Sequence, residues 1–272
     1  MPIDISPVPQ AQRDAAYNNG AAVPGWTDKF AAWTRESATI RARHQATMDL
    51  PFGPGERQKV DLFPGRDPQA PCLVYFHGGY WQRNSREMFA VLGEGVAAHG
   101  WSVAIPGYTL APEASLSDIV TECGQALDWL AGAGRGHGVA GPLIVSGWSA
   151  GGHLAALALD HPAVRAGLAI SGVFELAPLR DTYLDEKLKL TMIEIADLSP
   201  MRRPAVMKPL AVTYGELELP QLVANSVGFH AARQRAGAPG DLIPVAGADH
   251  FSVLDALRGA DGLLTRAALL LA

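Results

Sequence analysis

Residues 143–146 read Leu-Ile-Val-Ser, and the chain runs from them through Gly147-Trp148-Ser149-Ala150-Gly151 into a small-residue stretch, 150–159, of helical character. A short apolar run, one tight turn and a helix leave few folds open. The run suits a strand buried on both faces. Glycines at 147 and 151 let neighbouring backbone approach where a side chain would block it. Ser149 at the apex then presents its hydroxyl from a strained turn, and the following helix directs free N–H groups and its positive dipole end toward it. The bare pattern G-x-S-x-G recurs by chance. Its strand–turn–helix setting is what makes Ser149 a candidate nucleophile.

The same alternation extends along the chain. Apolar runs at 72–76, 101–105, 168–170, 210–214 and 242–245 predict further strands, with an edge strand at 59–63. Helical patterns fall at 85–99, 115–130, 220–235 and 263–271, and within 26–48, where Pro51-Phe52-Gly53-Pro54-Gly55 stops them. Ser115-x-x-Asp118 has the form of a capping box with a short acid, so only the first of its two bonds is expected. Repeated β-α units predict an α/β fold: a mostly parallel central sheet with helices on both faces. With 272 residues, 48% hydrophobic and 18% charged, the chain can bury such a sheet. The informative segments lie near 77, 149 and 250, so one domain, 1–272, is expected, with the polar residues 1–50 as a helical cover over the strand ends.

In such sheets ligands gather at the carboxyl ends of strands. After 73–76 comes His77-Gly78-Gly79-Tyr80-Trp81. A glycine pair there can turn backbone N–H groups inward, so Gly78 and Gly79, with Ala150 after the nucleophile, are the expected oxyanion donors. His77 is expected to fix this loop. After 242–245 comes Ala246-Gly247-Ala248-Asp249-His250, which places His250 as general base. His153, on the helix after Ser149, is expected to pack in the core. The acid that orients the base should follow 210–214, where the chain reads Tyr214-Gly215-Glu216-Leu217-Glu218-Leu219-Pro220. Glu218, just before a Pro-started helix, is favoured over Glu216. Asp249, adjacent to His250, is poorly placed to reach its Nδ1. The order Ser149, Glu218, His250 is that of a nucleophile–acid–histidine triad.

Other chemistries fit poorly. A net charge of −5 and scattered lysines give no basic stripe for nucleic acid. No H-E-x-x-H, C-x-x-C or P-loop occurs, so neither metal nor cofactor is expected. The glycine-rich 132–138 follows a helix and precedes a strand, the wrong side for a dinucleotide fingerprint. Two cysteines, Cys72 and Cys123, build no disulfide framework. No apolar stretch is long enough for a membrane span and the first residues lack a signal-type apolar core, so a cytoplasmic location is expected.

Together these residues resemble the α/β-hydrolase superfamily, and within it the kynurenine formamidase group, related to the hormone-sensitive-lipase-like esterases. The distinctive match is His77-Gly78-Gly79-Tyr80-Trp81, where general esterases of that clade carry a third glycine. Tyr17-Asn18-Asn19, Val60-Asp61-Leu62-Phe63, Ser171-Gly172-Val173-Phe174, Leu198-Ser199-Pro200 and His250-Phe251 support it. The resemblance implies arylformamidase activity, the hydrolysis of N-formyl-L-kynurenine. The alternative it leaves open is a short-chain carboxylesterase or amide or carbamate hydrolase. Members often carry Asp where this chain has Glu216 or Glu218. Tyr80 and Trp81 in place of glycine are expected to narrow the acyl side, with Trp148 as a third substrate-facing aromatic. Relatives commonly dimerise, which leaves a homodimer open.

Overall fold

A computed structural model describes residues 8–44 and 47–272. Eight strands form one sheet: β1 (Leu50–Pro51), β2 (Lys59–Phe63), β3 (Cys72–Phe76), β4 (Ser102–Pro106), β5 (Leu143–Trp148), β6 (Val164–Ile170), β7 (Leu210–Gly215) and β8 (Leu242–Val245). Their order is β1-β2-β4-β3-β5-β6-β7-β8. The β1–β2 and β2–β4 pairs are antiparallel and the rest parallel. Pro244 sits in β8, an edge strand, where its missing N–H costs no ladder bond.

The helices are α1 (Gln10–Ala15), α2 (Asn19–Ala22), α3 (Trp26–Ala42), α4 (Glu94–Ala98), α5 (Leu116–Ala131), α6 (Ala150–Ala158), α7 (Asp185–Leu188), α8 (Met192–Leu198), α9 (Pro220–Arg235), α10 (Asp255–Arg258) and α11 (Leu263–Leu269). Strand pleating sorts the core into two layers. Cys72, Val74 and Phe76 of β3 face one cluster with Ile119, Leu127, Leu154 and Phe229. Leu73 and Tyr75 face the other, with Phe30, Trp33, Val96, Leu257 and Leu264. Both sheet faces are therefore covered, which is why the strands read as unbroken apolar runs.

Three local expectations need correction. The 85–99 stretch is not one helix: two 3-10 turns, Arg86–Met88 and Ala90–Gly93, precede the short α4. The capping box of α5 is complete, because Asp118 also accepts the Ser115 N–H at 3.0 Å. The strand at 59–63 lies one place in from the edge, since β1 pairs outside it.

The first helices are tied to the sheet by charge as well as by packing. Asp61 on β2 is fully buried and accepts from Arg41 of α3 at 2.7 Å and from Arg86 at 3.2 Å. Its Oδ1 also takes the Asp49 N–H at 3.0 Å. A buried carboxylate persists only when its oxygens are satisfied in this way.

Candidate active site

The β5–α6 turn is built by close approach. A Cβ on Gly151 would lie 1.9 Å from the Phe76 carbonyl oxygen, and one on Gly147 would lie 2.2 Å from the Gly151 oxygen. Only glycine fits at either position. Between them Ser149 takes φ 58 and ψ −117, a conformation L-residues rarely hold. Its N–H donates to Ile170 O at 2.8 Å and its carbonyl accepts from His153 N at 3.1 Å, which hold the turn from both sides.

His250 follows β8, and its Nδ1 lies 2.8 Å from Glu218 Oε2. The Glu218 side chain is fully buried and that of His250 is 3% exposed. The second carboxylate oxygen, Oε1, accepts the Gly215 N–H at 2.6 Å and the Ser171 hydroxyl. Glu218 is thus an acceptor with three donors and one fixed orientation. Glu216 is exposed and meets no imidazole. Asp249 spends its Oδ1 on the N–H groups of Phe251 and Ser252, each at 2.8 Å, and so shapes the turn that carries His250. Trp148 donates its indole N–H to the His250 carbonyl at 2.7 Å, and its ring centroid lies 4.9 Å from the imidazole.

Ser149 and His250 line one small cavity of about 40 Å³ with Gly79, Tyr80, Arg83, Asn84, Trp148 and Tyr183. Asn19, Gly20, Trp26 and Phe30 close it from the N-terminal helices, and Phe251 from the last loop. Gly79 has φ 121, and a Cβ there would meet Arg83 O at 2.4 Å. Gly78 packs so tightly over Trp148 that a Cβ would lie 2.4 Å from its ring. Tyr80 lines the cavity, and its hydroxyl donates to Tyr17 O at 2.8 Å and accepts from Asn19 Nδ2 at 3.2 Å.

Trp81 is the exception among the expected aromatics. It is fully buried and absent from the cavity lining, packing edge-on against His153 at 4.9 Å. Tyr80 and Trp81 both hold positive φ, 50 and 57. This tight turn leaves Tyr80 on the cavity and Trp81 in the core.

The two other buried histidines do structural work. His77 stacks on Tyr108 at 4.2 Å and its Nδ1 donates to Gly78 O at 3.0 Å. His153 contacts Leu198 O through Nε2 at 2.7 Å. Burial holds each pKa down to about 4, so both are neutral near pH 7.

Sequence reasoning missed Ser171, Asn84, Tyr108 and Arg83. Ser171 and Tyr108 each lie within two residues of a strand's carboxyl end, a positional signal. Arg83 and Asn84 lie in an irregular loop, 79–84, whose path no local pattern announces.

A hydroxyl on a strained turn, an imidazole and a buried carboxylate around one cavity can carry out acyl transfer. The sequence family described as the α/β-hydrolase fold matches this chain over residues 73–256. The chain belongs to that family. It is 29% identical over 249 residues to a kynurenine formamidase of Danio rerio, covering 85% of this chain and 84% of that protein. A kynurenine formamidase of Salmo salar is 26% identical over 250 residues, with 85% and 84% covered. A crystal structure of a Silicibacter protein, provisionally described as a thioesterase, superposes with a TM-score of 0.84 at 29% identity, covering 94% of this chain and 98% of that one. The protein is therefore a serine-hydrolase-type enzyme. Among the described residues, no helix is long and apolar enough to cross a membrane.

Proposed function

We propose that this enzyme is an arylformamidase acting on N-formyl-L-kynurenine through Ser149, His250 and Glu218. The observation that carries the reading is the His250–Glu218 contact at 2.8 Å at the edge of the Ser149 cavity. Ser149 Oγ attacks the formyl carbon while His250 takes its proton. The N–H groups of Gly78, Gly79 and Ala150 hold the oxyanion. His250 returns the proton to the leaving arylamine, and water then releases formate from the formyl-enzyme by the same route.

The lining supports this substrate class. The cavity beside Ser149 is small, which suits a short acyl group. Trp26, Phe30, Trp148 and Phe251 offer aromatic faces for an aryl leaving group. Among the described residues no Asp or Glu lines the cavity, whereas Arg83 does. That balance suits a substrate bearing a carboxylate, as N-formyl-L-kynurenine does. The names of the fish relatives point the same way.

A second reading keeps the same triad in a promiscuous short-chain carboxylesterase or an amide or carbamate hydrolase, and the thioesterase description of the Silicibacter protein favours its ester-cleaving form. Values of kcat/KM for N-formyl-L-kynurenine and p-nitrophenyl acetate separate the two. The proposal expects the formamide to be preferred, and a formamide rate near background retires it in favour of the esterase. A series of formyl, acetyl, butyryl and octanoyl esters should fall steeply with length. Ser149→Ala should lower turnover about 10⁶-fold while the fold is retained. The reading carries with it a single-domain, cofactor-free cytoplasmic enzyme for a small-molecule substrate, with Cys72 and Cys123 as buried thiols.

A further inference from the structure

The oxyanion loop raises a question that the triad does not answer: what makes two consecutive peptides, 77–78 and 78–79, face their N–H groups the same way? In extended chain they would alternate. The carbonyls supply the answer, because in a trans peptide C=O and N–H point in opposite directions.

The Gly78 carbonyl accepts from two side chains, Asn84 Nδ2 at 3.0 Å and His77 Nδ1 at 3.0 Å. An amide oxygen cannot donate, so Asn84 must present its NH₂ to this carbonyl, and His77 must carry its proton on Nδ1. The His77 carbonyl accepts from the Tyr108 hydroxyl at 2.8 Å. That hydroxyl lies 3.2 Å from the same His77 Nδ1. Its proton goes to the carbonyl, since the ring nitrogen already bears one. Both carbonyls therefore turn toward one cluster of Tyr108, His77 and Asn84. Their partner N–H groups, on Gly78 and Gly79, turn away from it together. Among the described residues no protein acceptor takes either N–H, and Gly79 lines the cavity that holds Ser149. Two adjacent N–H groups pointing one way form a concave anion site.

The cluster is itself anchored. Tyr108 is fully buried after β4. Arg57 donates to the Tyr108 carbonyl at 2.9 Å and to the Asn84 carbonyl at 2.5 Å, so one guanidinium holds both residues. Asn84 sits at φ 73, a conformation that asparagine tolerates better than most residues.

We infer that Tyr108 and Asn84 are positioning residues for the oxyanion site: they clamp the 77–78 and 78–79 peptides so that the Gly78 and Gly79 N–H groups face the reacting carbonyl. The inference rests on the assignment of Ser149 as nucleophile but not on the formamide substrate, so p-nitrophenyl acetate serves as the probe. Tyr108→Phe keeps the ring and its stacking and removes one donor. Asn84→Asp keeps size and backbone tolerance and removes another.

Each variant should lower kcat about tenfold, part of the 10²–10³ that loss of a whole donor costs, with KM within about twofold. A merely structural role would not reproduce the second readout, the inhibition constant of an aryl trifluoromethyl ketone. Ser149 Oγ adds to the ketone carbon, its proton passes to His250, and the ketone oxygen becomes an oxyanion in the site. The inhibition constant should rise by the same factor as kcat falls, with melting temperature retained. Arg165→Ala, an exposed position on β6, should match wild type in both. The clamp is overturned if inhibition is unchanged while kcat falls, or if the loss lies in KM. Absence of ester turnover and ketone inhibition in the wild-type enzyme would overturn the Ser149 reading, and the clamp with it.

Discussion

The cavity has two walls built on different principles. Its floor is made of strand ends: the β5–α6 turn, the loop after β3, and the loops carrying Glu218 and His250. The floor is fixed by backbone contacts that admit no side chain and by buried hydrogen bonds. Its cover is made of α2 and α3, attached mainly through side chains, including the Arg41 pair with buried Asp61. Tyr80 bonds to Tyr17, Trp26 stacks on Phe251 at 5.3 Å, and Phe30 meets Phe251 at 5.7 Å. Exposed pairs such as Lys29–Asp255 add little to that attachment. On the proposed function the floor carries the chemistry, and the cover controls what can reach it. Changes to the floor should act on turnover and stability, and changes to the cover on substrate binding.

The largest break in this contrast should come from the acid. Glu218→Gln keeps the shape but removes the charge that, in the proposed triad, stabilises the imidazolium and selects its tautomer. A loss of about 10⁴ in kcat is expected, as for an orienting carboxylate elsewhere. Glu216→Gln, two residues away and exposed, should remain within about twofold. Steady-state kinetics on both variants checks this, and equal losses would undo the assignment. A second break is steric. Gly151→Ala places a methyl 1.9 Å from Phe76 O, a backbone atom of β3, with nothing flexible to yield. A stability loss of at least about 3 kcal/mol in urea unfolding is expected, at the upper end for overpacking. A loss below about 1 kcal/mol would show that the floor is softer than its geometry.

The same division explains what could be read without a structure. The floor was legible because backbone crowding writes itself as glycine at fixed spacing, and because each candidate side chain follows an apolar run. Ser149, His250 and the Gly78-Gly79 pair could be named as candidates from that alone. The choice between Glu216 and Glu218 could not be closed, since both follow β7 and only the Gly215–Glu218 turn decides which one folds back. The cover was legible only as a helical, polar stretch. Its contacts join residues about 60 to 230 positions apart, such as Asn19 with Tyr80 and Trp26 with Phe251. No local spacing records such pairs. Trp81 was misplaced for a related reason: adjacent aromatics look equivalent in sequence, and the positive φ of both residues sends them to different sides.

Acid should test the floor from within. His77 and His153 are buried and neutral, with pKa values held down to about 4. Between pH 6.5 and 4 the unfolded chain takes up protons that the folded chain refuses. Stability is therefore full above about pH 6.5 and falls as pH drops toward 4, by up to about 3 kcal/mol per histidine. Urea midpoints at pH 7 and 4.5 measure the fall, and His153→Gln should make it shallower. An unchanged slope in that variant would remove His153 from the account.

The smallest expected effect lies on the cover and is the most diagnostic of it. Trp26 is partly exposed, lines the cavity and stacks on Phe251 with an interplanar angle of 13°. An aromatic pair of this kind contributes about 0.5–1.5 kcal/mol beyond area burial. A substrate aryl group stacked on Trp26 would gain about as much, so Trp26→Ala should raise KM for an aryl formamide about three- to tenfold. It removes a surface that the ground state and the transition state use equally, so kcat should change by less than about twofold. The floor predicts the opposite pattern for its own residues, with losses in kcat and little in KM. If Trp26→Ala instead lowers kcat as Glu218→Gln does, the cover takes part in the chemistry, and the two walls cannot be treated as separate devices.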